Sequence, residues 1–257
     1  MSTLIVGAVA FVASVLTLFS GFGLGTLLMP VVAIFMPIAA AVAVTAVVHL
    51  LNNLFKLVTL WRDIHWRTVW TFGVPAMLAT VPGAWLLTHL ASLPGTYRYH
   101  VLGLAAEMTP IGVLVGGLLM AFAVIEWFSL AKRWQVSARH LPLGGLLSGF
   151  FGGLSGHQGA FRSAFLLHAG LDAPQFVASN AALAALVDIT RLVVYGLNLA
   201  LIVSGDHGQI VVVATLAAFA GVLLGKVLLK KVTIAAIQRL VAVMLLVLGA
   251  LLMAGVL

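Results

Sequence analysis

Ser155-Gly156-His157-Gln158-Gly159-Ala160-Phe161-Arg162 interrupts an apolar run that begins at Leu141 and resumes from Ser163 to Gly170. The meaning of this polar, glycine-rich break is set by the solvent around it. In a bilayer, non-helical backbone persists only where protein buries it or where it lines a wet cavity. A break of this kind in a membrane chain therefore marks a site, and the composition decides whether a membrane is the right setting.

Of 257 residues 63% are hydrophobic and 7% are charged, with a mean hydropathy of +1.22. A soluble domain carries about a quarter charged residues. Apolar segments of roughly 20 residues, long enough to cross ~30 Å of hydrocarbon as helices, follow one another with short polar joints. The fold class is an all-α polytopic membrane protein with no room for a soluble domain. The net charge of +7 comes from basic residues clustered beside helix ends, which are topology signals rather than a nucleic-acid surface. The absence of cysteine excludes disulfides, thiolate metal sites and a cysteine nucleophile; no metal or other cofactor is expected. Residues 1–20 resemble the apolar part of a signal peptide, but no basic stretch precedes them and Ser20-Gly21 recurs later, so they are taken as a mature helix.

Residues 4–19 form the first apolar run, which stops at Ser20-Gly21-Phe22-Gly23-Leu24-Gly25 and resumes over 26–36 before Pro37. Alternate glycines and Pro30 argue against one unbroken helix. The helix expected over 38–60 carries Thr45, His49, Asn52, Asn53 and Lys56. Their spacing sets Thr45, His49, one of the two asparagines and Lys56 on a single stripe. A tryptophan-flanked basic joint, 61–67, sits at headgroup level. A helix over 68–90 contains Pro75 and Pro82, an interfacial lead-in covers 97–106, and a membrane helix covers 108–127, with Glu107 near an interface. Lys132, Arg133 and Arg139 make a central basic loop. Beyond the second broken run, a helix over 173–201 carries Asn180, Asp188 and Arg191. A turn at 204–208 then leads to helices over 209–229 and 234–256.

A shift of 135 residues places Ser20-Gly21 on Ser155-Gly156, Thr45 on Asn180, Asn53 on Asp188 and Lys56 on Arg191. The matched polar positions suggest two copies of one unit, residues 1–134 and 135–257, each a broken segment followed by three helices in a single transmembrane domain. Orientation bears on how the copies are related. If each broken segment crosses the membrane, the joint residues divide as Arg62, Arg67, Lys132, Arg133 and Arg139 against Arg98, Lys230, Lys231 and Arg239, five to four. If each turns back as a hairpin, Lys230, Lys231 and Arg239 join the first five against Arg98 alone, eight to one. The second division obeys the positive-inside rule. It leaves three crossings per copy, so the repeats are inverted and both termini lie on the periplasmic side, an architecture of transporters.

A hairpin turning inside the membrane presents the N-terminus of its return arm, whose free N–H groups carry about half a positive charge and attract anions. Arg162 lies in the first turn of that arm, where burial alone costs about 2.5–3.5 kcal/mol at the bilayer centre. A substrate anion would compensate it. Ser155, Gly156, His157, Gln158 and Gly159 add donors and backbone beside it, and an arginine fork suits an oxyanion better than a lysine does. The first copy offers Ser20, Gly21, Gly23 and Gly25, mostly backbone. Structural roles compete at each position. Arg162 has Glu107 and Asp188 as candidate carboxylates, Asp188 and Arg191 stand at i, i+3 and neutralise each other most simply, both histidines are suited to packing, and the glycines suit close helix contact.

Gly21-Phe22-Gly23-Leu24-Gly25 followed by Pro30 and by residues 41–45, its echo from Gly149 to Phe165, and the basic joint after the second helix together resemble the TauE/SafE family of sulfite exporters over the whole chain. The resemblance implies a bacterial inner-membrane transporter moving sulfite, sulfonates or other small sulfur-containing or organic anions, often outward, and not an enzyme. Its partners are the small anion and the lipid bilayer; coupling to protons through His157, His49 or Glu107, and a homo-oligomer, stay open. Two alternatives are carried. One is an anion channel. The other is a rhomboid-like serine protease, since Gly153-Leu154-Ser155-Gly156 fits that signature, although the last two helices hold no histidine to serve Ser155 as a base.

Overall fold

The structure, a computed structural model, describes residues 1–17, 23–101, 104–128, 137–196, 206–228 and 234–256. Ten α-helices occur among them: α1 (Ser2–Thr17), α2 (Gly25–Val32), α3 (Ile38–Leu60), α4 (Trp66–Ser92), α5 (Pro110–Trp127), α6 (Leu141–Ser155), α7 (Gly159–Leu166), α8 (Ala173–Tyr195), α9 (Asp206–Leu228) and α10 (Ile234–Met253). Five are long and apolar enough to cross a membrane. Local chemistry accounts for their starts. Pro37 precedes α3. The Thr109 side chain accepts from the Gly112 N–H at 3.0 Å to cap α5, whose first residue is Pro110. Asp172 and Gln175 form a capping box at α8, satisfying two amide groups that the first turn cannot.

The expected interfacial lead-in is instead a two-stranded antiparallel hairpin, β1 (Tyr97–Val101) and β2 (Leu104–Met108). The alternating Tyr-Arg-Tyr-His-Val pattern favours a strand at a surface. The hairpin docks on the chain's last turn, where Glu107 N–H donates to the Gly255 carbonyl at 2.7 Å and Tyr99 Oη to the Ala254 carbonyl at 2.6 Å. Glu107 pairs with Arg98 at 3.2 Å in an exposed bridge, so it is no counterion for Arg162.

The break is tighter than its sequence suggests. Only Gly156, His157 and Gln158 lie between α6 and α7. Gly156 takes φ +80°, a left-handed conformation that glycine adopts without strain, and α7 returns along α6. Ser148 Oγ donates to the Gln158 carbonyl at 2.9 Å, and the Phe165 ring fills the space beside Gly144. In the first half α2 packs on α1; Ser20 and Gly21 lie outside the described residues.

The four main helix pairings keep their pattern when residues 1–134 and 135–257 are exchanged. α4 packs along α6 and α1 along α9, while α5 packs on α10 and α3 on α8. The first pair maps onto the second, and each of the others onto itself. The α4–α6 seam is close because Gly145, Gly149 and Gly153 recur every fourth residue on α6, opposite Ala76, Thr80 and Ala84. A Cβ on Gly149 would overlap the Ala76 carbonyl. Close approach of small residues is how helices associate where no hydrophobic driving force separates helix from lipid.

Candidate functional site

The polar stripe of α3 is wholly buried: Thr45, His49, Asn52, Asn53 and Lys56 all fall inside the bundle. α8 faces it and buries Asp188 and Arg191. The starts of α2 and α7 converge on the same place. The position a Cβ would occupy on Gly23, itself at φ +80°, is 2.9 Å from His49 Nε2 and 3.7 Å from Arg162 Nη2. The equivalent point on Gly25 is 3.8 Å from the Gly156 carbonyl oxygen and 3.6 Å from Thr45 Cγ2. Backbone from the first half thus meets side chains from both.

Asp188 is the hub. Its Oδ2 contacts His49 Nδ1 at 2.7 Å, and its Oδ1 contacts Arg191 Nη2 at 2.7 Å and accepts from Gln158 Nε2 at 3.1 Å. Gln158 turns its Oε1 to Arg162 Nη1 at 2.6 Å, and Arg162 Nε donates to Asn180 Oδ1 at 2.6 Å. The amide of Gln158 therefore stands between the carboxylate and Arg162, which has no ion pair among the described residues. Arg162 Nη2, His49 Nε2 and Arg191 Nε are buried with no hydrogen-bond partner among those residues. Lys56 is buried too, 6% exposed. Two buried guanidinium groups, Arg162 and Arg191, thus share this centre with Asp188, the carboxylate that the described contacts place there. Burying an uncompensated charge costs several kcal/mol.

Both short helices begin without a side-chain cap, at Leu24 for α2 and Gln158 for α7. Their first N–H groups add positive potential at the point where the tips meet.

Other expected residues are differently engaged. Asn53 Nδ2 donates to the His49 carbonyl at 2.9 Å, and Asn52 Oδ1 accepts from Ser14 of α1 at 3.3 Å, so both asparagines hold helices in place. Ser155 Oγ donates to the Phe151 carbonyl at 3.1 Å. His157 stacks on Phe122, with 5.5 Å between ring centroids, and its Nδ1 contacts the Ser155 carbonyl at 2.9 Å. With Nδ1 donating there, the 3.3 Å approach to Ser155 Oγ does not make His157 a base. Asp188 and Arg191 pair as their spacing suggests, but the contact of Asp188 with His49, 139 residues away, has no signal in a single sequence. Sequence reasoning also misses Tyr195, whose hydroxyl donates to the Gly153 carbonyl, and Glu126, buried on α5. A tyrosine four residues after Arg191 on the same face is the signal for the first. Among the described residues no group of three His, Asp or Glu side chains is placed to hold a metal ion.

The family model described as Sulfite exporter TauE/SafE matches residues 6–252. No curated protein matches the chain. Together with the long apolar helices, that match makes the chain a multi-pass membrane transporter for sulfite or a related anion, not an enzyme.

Proposed function

We propose a specific transport function, and its premise is plain: the chain belongs to the TauE/SafE sulfite exporter family. Its substrate is a small sulfur-containing or organic oxyanion, bound where the starts of α2 and α7 meet α3 and α8. The observation that carries this reading is the buried excess of cations over carboxylate, with Arg162 Nη2 unpartnered among the described residues. An anion there would accept from Arg162 Nη2, with Gly23, Gly25, Gly156 and Gly159 letting it approach the backbone. Thr45, Gln158 and Asn180 position these groups.

The two halves act as inverted repeats, each broken segment entering the membrane and turning back, with both termini periplasmic in a bacterial inner membrane. The return of α7 along α6 and the division of basic joint residues support this topology. Alternation of the two halves about the tips would then export the anion.

In proteoliposomes, uptake of sulfite, thiosulfate, sulfonates and carboxylates should be saturable and selective for one of these classes. Loss of a charge-assisted hydrogen bond, worth about 1.5–3 kcal/mol, should make Arg162→Ala at least about tenfold weaker for the preferred anion. Unchanged flux in that variant would refute the site, and flux linear in concentration would point to a channel.

A further inference from the structure

We propose that His49 takes up one proton when the anion binds, so that each anion is carried together with a proton; this rests on the anion site argued above. His49 Nδ1 and Asp188 Oδ2 are 2.7 Å apart, and one of them must supply the hydrogen. The second carboxylate oxygen faces Arg191 Nη2 at 2.7 Å and Gln158 Nε2 at 3.1 Å. A carboxyl group that gathers a guanidinium and an amide on one oxygen is ionised, so the hydrogen sits on His49 Nδ1.

The consequence falls on the other ring nitrogen. In a neutral imidazole with Nδ1 protonated, Nε2 is a bare lone pair. Here Nε2 is buried without a hydrogen-bond partner among the described residues, and it points to the same place over Gly23 as Arg162 Nη2. A lone pair aimed at an anion repels it, whereas Nε2–H donates to it. The anion therefore prefers the doubly protonated ring, and by linkage the ring holds its second proton more tightly when the anion is present. Arg162 attracts under all conditions, and His49 does so only when protonated.

The charged groups acting on the ring are Asp188 and Arg191 from α8 and Arg162 from α7; His157 lies in the turn before α7, against Phe122, and Lys56 lies two stripe positions along α3. α2 presents backbone at Gly23 and Gly25, and the described side chains of α9 include no titratable group. The anion's own charge is the variable that moves the proton.

Calorimetric titration of the purified protein with methanesulfonate and with thiosulfate tests this, because neither anion changes charge between about pH 6 and about pH 8, where histidine titrates. Measurements in two buffers of different ionisation heat count the protons taken up. The expected result is one proton per anion, with affinity falling about tenfold per pH unit at the alkaline end. In His49→Gln the proton count should go to zero and the slope vanish, while His157→Gln should keep both. Binding to the wild-type protein without proton uptake, or a slope that survives in His49→Gln, overturns the proposal while leaving the anion site standing. If neither anion binds at any pH, the anion site falls and this coupling with it. Should His49→Gln fail to fold, the wild-type proton count decides alone.

Discussion

Asp188 is the residue on which the buried centre depends, because its carboxylate pairs with Arg191 and His49 and reaches Arg162 through the Gln158 amide. Removing one member of a buried charge pair strands the others, at a cost of about 3–5 kcal/mol. Asp188→Asn should accordingly lower the melting temperature in detergent sharply. Asp188→Asn combined with Arg191→Met removes a cation along with the carboxylate and should be milder; equal stability of the two would contradict the charge balance described for this centre. The parts of this network differ in how far sequence reveals them. Arg162 stands out as a charge in an apolar run, and the stripe from Thr45 to Lys56 follows from helical spacing. The His49–Asp188 contact and the bridging amide of Gln158 bring together α3, the turn before α7, and α8, and no local pattern encodes such a meeting. Asn52 and Asn53 lie on the expected face and yet serve helix packing, since an asparagine's partner depends on what stands opposite it.

At the scale of elements, the hairpin of α6 and α7 is held against α4 by the glycine seam. Gly149 and Gly117 provide a controlled comparison, since each lies inside a helix and either would gain up to about 1 kcal/mol of helix propensity as alanine. A Cβ on Gly149 overlaps the Ala76 carbonyl, whereas a Cβ on Gly117 meets only Met253 Sδ at 3.9 Å. Overpacking costs about 1–3 kcal/mol. Gly117→Ala should melt at or above the wild-type temperature and Gly149→Ala clearly below it; equal melting temperatures would mean that the seam is looser than described. A helix boundary was legible where proline marks it, as with Pro37 before α3, whereas α5 starts at Pro110 behind its Thr109 cap, two residues after the expected 108. The strands of the 97–108 hairpin were not, because a short alternating segment beside a membrane helix carries the same composition as an interfacial lead-in.

The whole molecule joins two halves whose helix pairs exchange onto one another, and its polar centre belongs to neither half alone. The first half brings backbone at Gly23 and Gly25 with His49 and Lys56; the second brings Gln158, Arg162, Asp188 and Arg191. The repeat rests on polar positions that recur at a fixed offset, and the one-sided excess of basic joint residues belongs to the hairpin topology proposed above. That the lone pair of His49 and the free arm of Arg162 share one point above Gly23 required the fold. Crystals soaked in selenite, the selenium counterpart of sulfite, test this placement most directly through anomalous scattering. The predicted result is a peak within hydrogen-bond reach, about 3 Å from its oxygens, of Arg162 Nη2 and His49 Nε2, and absent in Arg162→Ala. A peak confined to the basic surface cavity lined by His65, Arg67 and Arg139, with none between the tips, would contradict it.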